Sequence, residues 1–112
     1  MANVINYYPE AMDKRTQYKL MNAQAAQKMS AAAGSVLTPE NWIIYEDSDV
    51  KTGEVRKVLV VEASGEIFAT VSKTFIENFE KAVDFFGSDL GQIEVIQGTS
   101  KGGREYITCC IV

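Results

Sequence analysis

Aromatic and basic residues occur together in the part of the chain after residue 40, and this combination is suited to binding an unpaired nucleic-acid strand. Aromatic rings stack on bases, each stacked base contributing about 1–3 kcal/mol, while lysine and arginine neutralise phosphates. Each aromatic could equally be a half-buried strand residue, and each cation could belong to a solvated loop or strand end. The candidate binding residues are Tyr45, Lys51, Arg56, Lys57, Phe68, Lys73, Lys101, Arg104 and Tyr106.

Catalysis is not expected, because the residue types that usually perform it are missing. The sequence contains no histidine, which removes the commonest general base and the Ser-His and Cys-His nucleophile schemes. Cys109 and Cys110 are neighbours that a strand would point to opposite faces, so we expect reduced strand residues and no zinc site. The acids Glu46, Asp47 and Asp49 leave a weak magnesium site as an alternative, but no cofactor is predicted.

Composition and charge indicate one small acidic domain. The 112 residues allow a single core, and 46% apolar with 23% charged residues is an ordinary globular balance. The net charge of −4 by itself disfavours nucleic acid, but the cations concentrate at predicted strand ends and loops, where they can form a basic strip. Because the chain has no membrane-length apolar run and no secretory signal, we expect a soluble cytoplasmic protein, in the host cytoplasm if phage-encoded.

The stretch 74–87, TFIENFEKAVDFFG, gives the strongest secondary-structure signal. Its apolar residues follow one helical stripe that includes three phenylalanines, so the helix needs a large apolar surface to cover. Ser72 or Thr74 can cap its start, Thr74 with Glu77 matches a capping box, and Gly87 can end it. The stripe consists of Phe75, Ile76, Phe79, Ala82, Val83 and Phe86.

Residues 1–40 are predicted to form a partly helical N-terminal arm, and residues 41–112 the body of the protein. The arm is rich in alanine, glutamine, lysine and methionine, which favour a helix ending at Gly34. Its apolar stripe is thin and needs a partner surface, so we expect a homo-oligomer formed through the arm. The residues at helical spacing are Tyr18, Met21, Ala25 and Met29.

Five short strand-like stretches follow the arm, and the long helix lies between the third and the fourth. The order β-β-β-α-β-β is that of the OB-fold, a five-stranded, partly open barrel. We therefore predict a mostly β (β + α) fold with an OB-fold barrel; a small α+β sheet with the helix flat on one face is the alternative. The predicted strands are 42–49, 56–63, 66–72, 93–97 and 104–112.

The OB-fold binds its ligands with one sheet face and two loops, which identifies the candidate surface. The loops correspond to 49–54 and 98–103; the second is glycine-rich but lacks the residue order of a nucleotide-binding P-loop. Because side chains alternate along a strand, we expect Tyr45, Phe68 and Tyr106 to point outward. The residues expected to point inward are Trp42, Ile44, Ile67, Ala69, Val71, Ile107, Cys109 and Ile111.

Three stretches of the sequence also carry a resemblance to a known family. WIIYEDSDVKTGEVRK at 42–57, VSKTF at 71–75 and SKGGREY at 100–106 resemble the small single-stranded-DNA-binding proteins of phages and of conjugative elements of Gram-positive bacteria. The resemblance covers roughly residues 15 to 110. It implies an OB-fold that coats single strands during DNA replication or transfer, without catalysis.

The sequence thus favours sequence-independent binding of single-stranded DNA, with RNA left open as a ligand and no membrane partner. Base stacking on aromatics and phosphate contacts to lysine and arginine would supply the affinity. The alternative is an acidic protein-interaction module or adaptor that does not bind nucleic acid, an interpretation supported by the net acidity and by the methionines and tyrosines of the arm.

Overall fold

The computed structural model describes residues 3–112, which form two β-sheets and two α-helices around one main core. Short 3-10 turns at Met29–Ala32 and Gly87–Asp89 complete the regular structure of this part of the chain. In chain order the elements are β1 (Asn3–Tyr8), α1 (Lys14–Met21), β2 (Gln27–Lys28), β3 (Val36–Leu37), β4 (Asn41–Ser48), β5 (Val55–Ala63), β6 (Glu66–Thr70), α2 (Lys73–Phe86), β7 (Ile93–Thr99) and β8 (Glu105–Ile111).

The larger sheet has the strand order β1-β4-β5-β6-β2. β4, β5 and β6 form an antiparallel meander, to which β1 adds antiparallel along β4 and β2 adds parallel along β6. The turn between β5 and β6 is the predicted tight hairpin. Its two loop residues, Ser64 and Gly65, have φ values of 54° and 81°, which suit the twist of the flanking strands.

The smaller sheet consists of β3, β7 and β8, with β7 in the middle. The chain passes from this sheet into the larger one at residues 38–40, because β3 pairs with β7 and β4 pairs with β5. Pro39 lies at this passage, where its missing N–H interrupts no ladder. Within residues 3–112 no ladder connects β6 with β8, so the sheets do not close into a barrel. The architecture is mostly β and is compatible with an OB-like fold.

α2 is the predicted amphipathic helix. The six residues of the predicted stripe all lie in or against the main core, which confirms that prediction. Ser72 is the N-cap, and its hydroxyl oxygen accepts a hydrogen bond from the Phe75 amide at 3.3 Å. Thr74 therefore lies inside the helix and does not start a capping box. Gly87 ends the helix at a φ of 57°, a conformation that disfavours residues with a Cβ.

The N-terminal segment is less helical than predicted and is built into both sheets. α1 has eight residues and begins at Asp13, whose carboxylate accepts a hydrogen bond from the Thr16 amide at 2.8 Å. Tyr18 is 69% exposed whereas Met29 is 1% exposed in a 3-10 turn, so the predicted common helical stripe is wrong. β1, β2 and β3 pair with strands far along the chain, which local periodicity does not reveal. The division into an arm and a body at residue 40 stays a prediction.

Both faces of the larger sheet are covered, and this reverses the predicted orientation of β6. One face joins the main core beneath α2, and the other packs against α1 and the residues before it. Phe68 is 4% exposed in the main core, so the prediction that it points outward is wrong. Ile67 and Ala69, predicted to point into the main core, instead pack in the second cluster on the opposite face.

Four of the other predicted inward residues are buried in the main core, and two are exposed. Val71 follows the last residue of β6, and Ile111 is the last residue of β8. Because the alternating pattern continues only as far as the ladder, side chains at the end of a strand are free to face solvent. The buried residues are Trp42, Ile44, Ile107 and Cys109.

Candidate nucleic-acid interface

A groove of about 800 Å³ lies where the larger and smaller sheets fail to join. Residues 69–74, which connect β6 to α2, line it on one side, and residues 104–107 at the start of β8 line it on the other. Gln97, Val58 and the segment 28–30 complete the lining. The groove therefore exists because β6 and β8, which a closed barrel would pair, stay apart.

Cations outnumber acids along this groove. Lys28, Lys73 and Arg104 line it, whereas Glu105 is its one acidic lining residue. Within residues 3–112 none of these three cations lies within 4.0 Å of a carboxylate, so their charges are not neutralised by an ion pair. An acidic chain thus presents a locally positive groove, which favours a polyanionic ligand.

A second hollow, of about 350 Å³, continues from the groove along α2. It shares Val71 and Lys73 with the groove and adds Arg56 and Lys57 at the start of β5. The Lys57 ammonium nitrogen lies 3.1 Å from the Glu80 carboxylate, so this cation is partly neutralised. Together the two hollows bring four of the predicted binding cations into one path: Arg56, Lys57, Lys73 and Arg104.

Tyr106 supplies an aromatic ring to this path, as predicted. It is 43% exposed, lines the groove, and stands directly opposite Gly98 in the β7–β8 ladder. A Cβ atom at Gly98 would lie 2.6 Å from the ring's Cζ atom and from its hydroxyl oxygen, which is closer than Cβ atoms approach other atoms. The glycine therefore gives the ring room to lie against β7.

Tyr45 lies beside the groove. It stands opposite Val58, a lining residue, in the β4–β5 ladder and is half-buried against the second cluster. Burial raises the pKa of the Tyr45 hydroxyl, and the Asp47 carboxylate raises this pKa further, while Arg56 lowers it. The phenol therefore stays neutral at physiological pH and does not repel a phosphate.

Three predicted site residues lie elsewhere. Lys51 is exposed in the β4–β5 loop and Lys101 is exposed in the β7–β8 turn, and neither lines the groove or the second hollow. Phe68 is buried in the main core, so its ring has no surface on which a base could stack. The aromatic surface accordingly depends on Tyr106 and Tyr45 rather than on three rings.

Lys28 and Gln97 line the groove but were not predicted from the sequence. Lys28 reaches it because β2 pairs in parallel with β6, placing Lys28 opposite Ala69. The paired residues are about forty positions apart in the sequence, and β2 contributes only two of them, so no local pattern predicts the pairing. Gln97 lines the groove because it precedes Gly98 on β7. A single polar side chain on a strand does not indicate a binding residue, so the sequence did not predict it.

Cys109, possible metal ligands and possible membrane-spanning helices are the other features of the described residues that bear on function. Burial raises the pKa of the Cys109 thiol to about 12, so it is not a thiolate nucleophile at neutral pH. In residues 3–112 no group of three or more histidine, cysteine, aspartate or glutamate residues is placed to hold a metal ion. No helix in the described part of the chain has the length and apolar character to cross a membrane.

A comparison with protein families assigns the chain to a known family. The family model described as phage single-stranded DNA-binding protein, of the phi29 type, matches residues 2–112. The chain belongs to this family, which confirms the resemblance found in the sequence. Searches of curated proteins and of solved structures found no match. Membership of this family indicates that the chain binds single-stranded DNA.

Proposed function

We propose that this protein coats single-stranded DNA without reading its sequence, during the replication or transfer of phage or mobile-element DNA. The observation that carries the proposal is that two adjoining hollows are lined by more cations than acids, from Arg56 through Lys73 to Arg104, with Tyr106 exposed in the groove. A strand lying in this path would place its phosphates against the cations and a base against the ring. The chain acts as a binding protein, with no reaction step and no cofactor.

The chemistry of the groove explains why binding would not depend on base sequence. Phosphates are the same at every nucleotide, and every base has a face that can stack on Tyr106 or Tyr45. The bases of duplex DNA are already stacked and paired, so they are not available to stack on the tyrosine rings. Lys57 would add a phosphate contact within the path, and Lys51 and Lys101 would add contacts from exposed positions outside it.

The proposed organisation is an OB-fold body, residues 41–112, with residues 1–40 as an arm through which copies associate along the strand. β1 is the outer strand of the larger sheet and thus has one unpaired edge available to a neighbour. Analytical ultracentrifugation of the full chain, with and without oligo-dT, tests this association. A monomer under all conditions, together with a non-cooperative binding isotherm, would contradict it.

The central test is fluorescence anisotropy with labelled oligo-dT, oligo-rU and a duplex at several salt concentrations. We expect oligo-dT to bind far more tightly than duplex, and the comparison with oligo-rU decides between DNA and RNA. Changing Lys73 and Arg104 together to glutamine should flatten the dependence of log K on log salt by about 0.7 for each phosphate that is no longer neutralised. Lys81→Gln combined with Ser88→Asp, both at exposed positions outside the two hollows, lowers the net charge by the same two units and is the matched control. Equal binding of duplex and oligo-dT, or no binding at low salt, would refute the proposal.

A further inference from the structure

We propose that the outer face of α1 is a second contact surface for the DNA strand, reached after the strand leaves the groove. This inference rests on the proposed function and extends it to a part of the chain outside the groove and outside the predicted binding residues. We call this surface the α1 face. It consists of Lys14, Arg15, Tyr18 and Lys19.

Helical geometry places these four side chains together. Successive residues of an α-helix are rotated by about 100°, so Lys14 and Tyr18 stack four positions apart, as do Arg15 and Lys19. All four residues are exposed, and Tyr18 is 69% exposed. Leu20, which points to the opposite side of the helix, is buried in the second cluster. α1 therefore presents three cations and one aromatic ring to solvent, the two residue types that bind single strands.

The charge of this segment is opposite to that of the rest of the chain. Residues 11–39 contain four of the protein's eleven cations but only one of its fifteen acids, Asp13. The Asp13 carboxylate is engaged as the N-cap of α1. In residues 3–112 no carboxylate lies within 4.0 Å of Lys14, Arg15 or Lys19, so the cations of the α1 face have no ion-pair partner within the described chain.

α1 packs on a cluster of residues, two of which also line the groove. Leu20 belongs to the second cluster together with Val58, and Ala69 packs against that cluster. Val58 and Ala69 also line the groove. The helix is held in place by this packing and by the Gln17 amide, which donates a hydrogen bond to the Met12 carbonyl oxygen at 3.0 Å. The packed residues that hold α1 on the larger sheet therefore adjoin the residues that line the groove.

Two polyanionic occupants are conceivable for this face, and the structure favours the DNA strand over the acidic surface of another copy. The carboxylates of another copy would form ion pairs with the cations only. The exposed ring of Tyr18, which lies among these cations, would have no role in such ion pairs. A nucleic-acid strand uses both, because its phosphates meet the cations and its bases stack. The packed cluster that α1 shares with the groove lining is the structural link between the two surfaces.

The test compares short and long oligo-dT, of about 5 and about 16 nucleotides, which are near the two ends of the site sizes of OB-folds. The variant changes Lys14, Arg15 and Lys19 to glutamine. A matched control lowers the net charge by the same amount away from both hollows, with Lys81→Gln, Ser88→Asp and Gln92→Glu, all at exposed positions. Circular dichroism melts verify that each variant folds like the unaltered protein.

We expect the α1 variant to flatten the slope of log K against log salt by about two for the long oligonucleotide and to leave the short one unchanged. Tyr18→Ala should weaken binding of the long oligonucleotide at least about five-fold, and Tyr18→Phe should not, because stacking needs the ring and not the hydroxyl. The control variant should leave the slopes for both oligonucleotides close to those of the unaltered protein.

Three results would overturn the inference, and each is distinct from failure of the proposed function. Equal slopes for the unaltered protein and the α1 variant on the long oligonucleotide would show that the α1 face does not touch DNA. Equal losses in the α1 variant and in the control would assign the effect to net charge. A loss of cooperativity with unchanged single-site affinity would assign the face to a neighbouring copy. If the unaltered protein bound neither oligonucleotide, the proposed function itself would fail.

Discussion

Replacing Gly98 by alanine should weaken DNA binding because the new side chain displaces the ring of Tyr106. The new Cβ would lie 2.6 Å from the Cζ atom of Tyr106, and ordinary van der Waals contact begins at 3.4 Å, so the ring must retreat by about 0.8 Å. The atoms in conflict belong to the far end of a rotatable side chain, so the backbone need not move. Gly98 has no positive φ, so alanine fits its backbone conformation.

The expected magnitude follows from the worth of one stacked base. If Tyr106 stacks on a base, Tyr106→Ala should cost about 1–3 kcal/mol of binding, which is about 5- to 150-fold in Kd. Gly98→Ala should cost a comparable amount, because a ring displaced from β7 no longer meets the base. The free energy of unfolding should change by less than about 1 kcal/mol. Alanine is more favourable than glycine within a strand, and this gain offsets the cost of displacing the Tyr106 ring.

A double-mutant cycle measured by anisotropy with oligo-dT tests this reasoning. In the Tyr106→Ala background, Gly98→Ala should have no further effect, because no ring remains to displace. Additive losses would mean that Gly98 acts on DNA by some other route. Full affinity in Gly98→Ala combined with a large loss in Tyr106→Ala would refute the claim that the glycine positions the ring.

Three further predictions concern the core, the pH dependence and the ion pair. Phe79→Ala should destabilise the protein by about 3–5 kcal/mol in urea unfolding, because a fully buried ring that contacts Trp42 edge-on is removed, and Phe79→Leu should cost less; equal losses would contradict the cavity argument. The folded-state pKa of Cys109, about 12, lies above its ordinary value of 9.0, so the unfolded chain loses this proton first. Stability should therefore fall as pH rises from about 9 towards 12, and Cys109→Ala should flatten that fall in unfolding curves; an unchanged pH profile in the variant would count against it. Glu80→Gln should change stability by no more than about 1 kcal/mol, because the ion pair is partly exposed, yet tighten oligo-dT binding by releasing Lys57; unchanged or weaker binding would contradict a contact between Lys57 and DNA.

The elements whose signals are local could be predicted from the amino-acid sequence. The spacing of the apolar residues placed α2, with Ser72 and Gly87 at its ends, because capping and amphipathicity are properties of neighbouring residues. The Ser64-Gly65 hairpin likewise follows from residues that accept a positive φ. The family resemblance also rests on contiguous stretches of sequence, and the match over residues 2–112 agrees with it.

The candidate site was only partly predictable, because a strand's alternation fixes which side chains share a face and not which face is buried. Arg104 and Tyr106 were found where a groove forms, since charge and aromaticity near a strand end are visible in sequence. Phe68 was placed on the wrong side because the larger sheet is covered on both faces, and the larger core lies on the Phe68 side. Periodicity alone could not distinguish the two faces.

The role of the first forty residues depends on long-range packing that no local pattern reveals. Lys28 reaches the groove through a parallel pairing with β6, and Leu20 fixes α1 on the sheet by contacts with residues far along the chain. Both depend on long-range packing, whose free energy comes from burial rather than from any local preference. The sequence could therefore identify cations and aromatic rings as candidate binding residues, while the fold decided which of them lie together.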